Sequence, residues 1–199
     1  MFKAKKLVSL LAAATMAVTA LTGAMTVSAA DSGTCGSGVT WTFDSSTGKL
    51  TISGSGAMVS PPSSTSKTED YADTYTYKKY KDEITEVEIG EGITSIGFCA
   101  FYQFPKLETV TIPSTIEKFS EFLGGGSTIS QGSSYTFAEC PKLKSLTLKE
   151  GIKHLGGYAF YQCTALESVR IPTTIELWSR YSFRGCSSLK DIDLPEGLK

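Results

Sequence analysis

Three short segments say nearly the same thing at a regular interval: Ala100-Phe101-Tyr102-Gln103-Phe104, Ala159-Phe160-Tyr161-Gln162-Cys163 and Ser182-Phe183-Arg184-Gly185-Cys186. Each stands just before a run of the form apolar-x-x-apolar-x-apolar. Five such runs open at Ile84, Leu107, Leu143, Leu166 and Leu189, with spacings of 23, 36, 23 and 23 residues. The long spacing is one period with an insertion of 13. A repeat of this length fixes architecture before any other feature does. One unit is too small to bury its own apolar face, so the units must stack into a solenoid.

Inside each run two apolar residues flank one polar residue: Val87 and Ile89, Val110 and Ile112, Leu146 and Leu148, Val169 and Ile171, Ile192 and Leu194. That is the period of a half-buried strand. Pro113, Pro172 and Pro195 follow three of the strands and stop them, since proline has no N–H to give to a ladder. Inward residues come next: Ile93, Ile116, Ile152, Ile175 and Leu198, then Ile96, Phe119, Leu155 and Trp178. An aromatic column of Phe101, Phe137, Phe160 and Phe183 follows, and then a column of Phe104, Cys140, Cys163 and Cys186. Burial of such side chains is worth roughly 1.5–3 kcal/mol each, and it accrues only when neighbouring coils share it.

The pattern resembles leucine-rich repeats. The proline after the strand, Ile96-Gly97 and the Ala-Phe-Tyr-x-Cys turn resemble in particular the BspA-like (treponemal-type) bacterial-surface family. The usual asparagine-ladder position is held instead by Gly92, Thr115, Gly151, Thr174 and Gly197. The resemblance covers residues 84–199, and the head from Gly33 to Met58 is similar to the segment that precedes such repeats in secreted Firmicutes proteins. It implies an α/β-type or mostly β leucine-rich-repeat solenoid of about four and a half coils. The units span 84–106, 107–142, 143–165, 166–188 and a partial 189–199. It further implies a secreted or cell-surface interaction module, adhering to host matrix proteins or to other cells. The other class open to such a chain is an accessory or spacer segment of a larger exported enzyme or wall-anchored protein.

The rest of the chain fits export. Lys3, Lys5 and Lys6 precede an apolar stretch from Leu7 to Ala20, and Ser28-Ala29-Ala30 reads as a cleavage site ahead of Asp31. Residues 1–30 are therefore expected to be a signal peptide, with no membrane span left after cleavage. Residues 31–58 are expected to cap the first coil. Within them Val39, Trp41 and Phe43 alternate, Asp44 to Gly48 turn, and Leu50 and Ile52 return as a hairpin over 39–53. Residues 59–83 form a polar Ser/Pro/Tyr lead-in whose Tyr75, Tyr77 and Tyr80 pack on the first coil or, as a weaker alternative, bind glycan.

Chemistry is sparse. Without the three leader lysines, 16 basic residues face 20 acidic ones, and no basic patch points to nucleic acid. The single histidine, His154, falls in a variable column and is expected at the surface. Five cysteines in an exported chain invite a disulfide reading. Three of them share a column with Phe104, so they are expected as buried thiols. No CxxC, HExxH or GxSxG motif occurs, so neither catalysis nor a metal or cofactor is expected.

The candidate ligand surface is the outward side of the strands: Glu86, Glu88, Thr109, Thr111, Ser145, Thr147, Ser168, Arg170, Asp191 and Asp193. The insertion near 120–132 supplies a candidate specificity loop, Gly124-Gly125-Gly126-Ser127-Thr128. Expected partners are a host matrix or cell-surface protein, or a glycan. The coil at the C-terminal end offers an open face for self-association.

Overall fold

The structure, a computed structural model, describes residues 30–60, 74–119 and 132–196. The leader and the glycine-rich loop Gly124–Thr128 lie outside those residues. Along the chain come β1 (Asp31–Gly36), β2 (Val39–Asp44), β3 (Lys49–Gly54), β4 (Gly56–Ala57) and a short 3-10 helix (Thr76–Tyr80). The coils follow as β5 (Glu86–Ile89), β6 (Ile93–Ile96), β7 (Thr109–Thr111), β8 (Lys118–Phe119), β9 (Ser145–Thr147) and β10 (His154–Leu155). The last are β11 (Ser168–Arg170), β12 (Leu177–Trp178) and β13 (Asp191–Asp193). No α-helix occurs among the described residues, which decides for the mostly β form of the solenoid.

Two sheets enclose the core. The first has eight strands in the order β1-β2-β3-β5-β7-β9-β11-β13, and the second has five, β12-β10-β8-β6-β4. From β3 onward every pairing is parallel, one coil on the next. The second sheet was not resolved by the repeat pattern, because its strands are two to four residues long and carry only one or two apolar positions each.

The N-terminal hairpin is larger than its alternation indicated. β1 joins it as a third strand, antiparallel to β2. Its sequence Asp-Ser-Gly-Thr-Cys-Gly carries no apolar alternation, and its fit rests on a close approach instead. A Cβ on Gly33 would lie 2.7 Å from the Trp41 indole nitrogen, closer than real contacts allow. The return strand β3 is also more than a cap. Leu50 stands opposite Val87 in the parallel register, and β4 pairs with β6, so residues 49–58 are the opening of a first, atypical coil.

That coil takes its aromatic from the lead-in. Tyr77 is fully buried and stacks on Phe101 at 5.8 Å, and Phe101, Phe137, Phe160 and Phe183 continue the stack at 5.0, 5.5 and 5.3 Å. Tyr77 donates its hydroxyl to the Ala100 carbonyl, and Tyr75, also buried, donates to those of Val59 and Phe98. Tyr75 and Tyr77 therefore pack into the core, as expected of them, while Thr76 and Lys79 of the same segment stay exposed. A glycan has no access to Tyr75 or Tyr77. Only Tyr80 is half-buried, held by Asp31 and stacked on Phe43. The tight site of Tyr75 also explains Gly97, where a Cβ would collide with the Tyr75 hydroxyl.

Hydrogen bonds fasten coil to coil in the position of the missing asparagine ladder. The Thr115 hydroxyl accepts from the Gly92 N–H and donates to the Ile93 carbonyl, at 3.1 and 2.8 Å. Thr174 does the same with Gly151 and Ile152, at 3.0 and 2.9 Å. One residue earlier, Glu91 accepts from Ser114 and Glu150 from Thr173. A third ladder is built of thiols. Cys140, Cys163 and Cys186 each donate Sγ–H to the carbonyl of the preceding coil's phenylalanine, Phe101, Phe137 and Phe160, at 3.1–3.2 Å.

All five thiols are free and buried: Cys140, Cys163 and Cys186 as their column with Phe104 implies, and Cys35 and Cys99 outside that column as well. Burial pushes the Cys35, Cys99 and Cys140 thiols up to about 12 and Cys186 to about 11, and raises Cys163 further still. A thiol so far from ionising is not a nucleophile at neutral pH. His154 is half-buried at the start of β10 rather than fully at the surface, because β8 and β12 flank it. At the far end the core runs out. Ile192 and Leu194, inward by pattern, are 42% and 51% exposed because no described coil covers them.

Candidate interaction surface

The ten strand residues singled out by the pattern come together as two straight rows on one face of the first sheet. Parallel register aligns Glu86, Thr109, Ser145, Ser168 and Asp191 in one row, and Glu88, Thr111, Thr147, Arg170 and Asp193 in the other. Parallel strands stand about 4.8 Å apart, so each row is a line of side chains at that pitch. Eight of the ten are exposed, while Glu86 and Glu88 are half-buried.

The face has a charged margin at each end and hydroxyls between. Lys49, on β3, reaches Glu86 and Glu88 at 3.0 and 2.6 Å. Those two carboxylates raise the Lys49 pKa, chiefly through the hydrogen bond to Glu88. At the other end Arg170 meets Asp193 at 3.5 Å. In the centre the hydroxyls of Thr109, Thr111, Ser145, Thr147 and Ser168 face solvent. Lys49 was not legible as part of this face, since the sheet's continuation into the hairpin depends on the β3–β5 pairing.

A second surface lies where each coil turns from the second sheet back to the first. Two residues four apart bracket this turn in the left-handed region: Cys99 and Gln103, Tyr135 and Glu139, Tyr158 and Gln162, Tyr181 and Gly185, with φ from +47° to +82°. Three of the leading positions are tyrosines, and their rings pack in a row, the first pair stacked and the second tilted at 45°. Tyr135 and Tyr158 lie 4.8 Å apart and nearly parallel at 13°, and Tyr158 and Tyr181 lie 5.1 Å apart. Tyr102 packs edge-on against Tyr135, Tyr161 packs edge-on against Tyr158, and the Arg184 guanidinium covers the Tyr181 ring at 5.2 Å. Partial burial raises the Tyr135 hydroxyl to about 12. The signal was in the sequence, as a tyrosine at the same place in three successive units.

Neither surface holds a catalytic constellation. Among the described residues no three of His, Cys, Asp and Glu gather as a metal site would require, and no helix is long and apolar enough to cross a membrane.

Parallel strands on a 23-residue period, two sheets and a column of stacked phenylalanines define a leucine-rich-repeat solenoid. The chain belongs to the BspA type leucine rich repeat family, whose model matches six copies over residues 71–131 and 125–199. It is similar to a leucine-rich repeat protein from Eubacterium ventriosum, with 22% identity and a TM-score of 0.60. That match covers 84% of this chain and 45% of the other, so this chain spans less than half of that protein's length. It is also similar to the T. pallidum leucine rich repeat protein, with 17% identity, 81% and 71% coverage and a TM-score of 0.52. At these identities the likeness shows the fold. No curated protein sequence matches the chain.

Proposed function

We propose that this chain is an extracellular interaction module that binds a protein partner through the outward face of its first sheet. The observation that carries the reading is the pair of aligned rows. Five hydroxyl side chains at the centre of the face have no hydrogen-bond partner among the described residues, and they sit on a rigid parallel sheet between two charged margins. A surface ordered in advance loses little entropy on binding, and exposed hydroxyls both donate and accept. Export is supported by the basic and apolar leader with its small-residue cleavage site. Family membership supports a role in binding rather than turnover.

The test is a screen of the full chain, expressed for secretion, against arrayed matrix and cell-surface proteins. A paired variant, Thr111→Lys with Thr147→Lys, places two bulky charges at the centre of the face. The reading expects retained partners to bind the variant at least about tenfold more weakly. Equal binding by both would overturn it.

A second reading, a spacer segment in a larger exported protein, is favoured by the 45% coverage of the Eubacterium ventriosum protein. A screen that retains nothing would select it.

A further inference from the structure

Packing accounts for one end of the tyrosine column, where Tyr135 lies against buried Phe98 and Cys99, but it does not answer why Tyr158 and Tyr181 continue the column. Its members occupy left-handed backbone positions, where a Cβ costs free energy and glycine is the ordinary choice. The chain does use glycine at Gly185, the last of the neighbouring left-handed column. Three successive coils nevertheless carry tyrosine, a large amphipathic side chain enriched at binding surfaces.

The stacking geometry limits what these rings can bind. Sugars bind aromatic side chains by lying on an open ring face. Tyr158 has Tyr135 at 4.8 Å on one side and Tyr181 at 5.1 Å on the other, and Arg184 lies over Tyr181. Tyr135 and Tyr158 are only half-buried even so. With their faces covered, what they show to solvent is the rim of the ring with its hydroxyl. A row of phenol rims, rigid and with few rotamers to freeze, suits the backbone amides and side chains of a protein.

Charge narrows the partner further. The chain is acidic beyond its leader, yet Arg180 and Arg184 both stand exposed beside this column. No carboxylate among the described residues forms an ion pair with either. Arginine and tyrosine are both enriched at protein-binding hot spots, and the arginine guanidinium takes a carboxylate by two hydrogen bonds at once.

We propose that Tyr135, Tyr158, Tyr161 and Tyr181, with Arg180 and Arg184, form a second binding strip that takes an acidic segment of a protein partner. The strip is separate from the sheet face and stands or falls without it. The segment lies across the ring rims. Its carboxylates meet the two guanidiniums, and its backbone meets the phenol hydroxyls.

The experiment uses a surface array of random twelve-residue peptides, probed with the labelled full chain. Peptides retained by the chain are expected to be rich in Asp and Glu. The double variant Arg180→Glu/Arg184→Glu alters only exposed side chains. It is expected to lose binding to those peptides by at least about tenfold while staying folded, its Tm lowered by no more than the loss of the Arg184–Tyr181 contact allows. Thr111→Lys/Thr147→Lys, on the other face, is expected to bind them as the parent does. Soluble polygalacturonate, which carries carboxylates on sugars, is expected not to displace them. Retained peptides with no acidic bias, undiminished binding by the double arginine variant, or displacement by polygalacturonate would each overturn the proposal.

Discussion

Two aromatic columns run along this molecule with the same period and nearly the same spacing. The inner one, Phe101 to Phe183, stacks at 5.0–5.5 Å, and Phe101, Phe137 and Phe160 are fully buried. The outer one, Tyr135 to Tyr181, has its rings 4.8 and 5.1 Å apart, the first pair stacked and the second tilted at 45°, is half-buried at Tyr135 and Tyr158 and is 44% exposed at Tyr181. A repeat transmits geometry to every column alike, but it does not give every column the same task. Burial separates them. The inner rings close the core between two sheets, and the outer rings are propped on it.

The sharpest way to break the comparison is to truncate one ring in each column. Phe160→Ala opens a cavity between Phe137 and Phe183 and is expected to cost about 3–5 kcal/mol in chemical denaturation. Tyr158→Ala forfeits three ring contacts at a surface, with Tyr135, Tyr161 and Tyr181, and is expected to cost less, about 1–2 kcal/mol. Equal losses would mean that the outer column is structural. A control away from both columns is Thr174→Val. It leaves the Gly151 N–H and the Ile152 carbonyl without a partner, for an expected loss of about 1–2 kcal/mol.

Tyr158 offers a finer test. Its φ is +59°, so glycine relieves the backbone while alanine does not. Tyr158→Gly is therefore expected to be more stable than Tyr158→Ala by about 0.5–1 kcal/mol, the reverse of the usual helix or strand order.

The smallest effect concerns the end of the inner column, where Phe43 and Tyr80 stack at 4.5 Å and Asp31 holds Tyr80 and Lys79. Those hydrogen bonds, that from Lys79 first, hold the Asp31 carboxyl at about 2 instead of its ordinary 3.8. A depressed carboxyl stabilises the fold above its unfolded value, and that contribution is lost as pH falls through the folded one. The Tm difference between the parent and Asp31→Asn is thus expected to be small and constant above about pH 5, to shrink below about pH 4 and to be lost below about pH 2. A difference that does not shrink as the pH falls from about 5 to about 2 would refute the assignment.

The period, the strand runs, the phenylalanine column and the cysteine column were legible in the sequence because each repeats apolar residues at fixed offsets. The ten outward positions followed from strand alternation alone, and parallel register placed them in two rows. What escaped was held together by something other than apolar repetition. β1 has an irregular polar sequence and fits because Gly33 makes room for Trp41. Tyr77 entered the phenylalanine column from a segment of unrelated composition, since only its ring had to match. The alignment of Tyr135, Tyr158 and Tyr181 was legible, but not that their rings pack on one another at the surface, because that contact leaves no apolar periodicity.

The alternation of Gly92, Thr115, Gly151 and Thr174 along the stack has one further consequence. Each threonine reaches back to the glycine turn before it. Each of these glycine turns, in contrast, approaches the carbonyl of the coil before it so closely that a Cβ would not fit: Gly92 against Gly54, and Gly151 against Ser114. Neighbouring coils are thus of two kinds and must come in order. The natural unit of gain or loss is the couple. Excising a single coil would set like turn against like turn, whereas removing two would restore the sequence of joints. A lineage that lengthens or shortens this scaffold by recombination should therefore keep the parity of its coils.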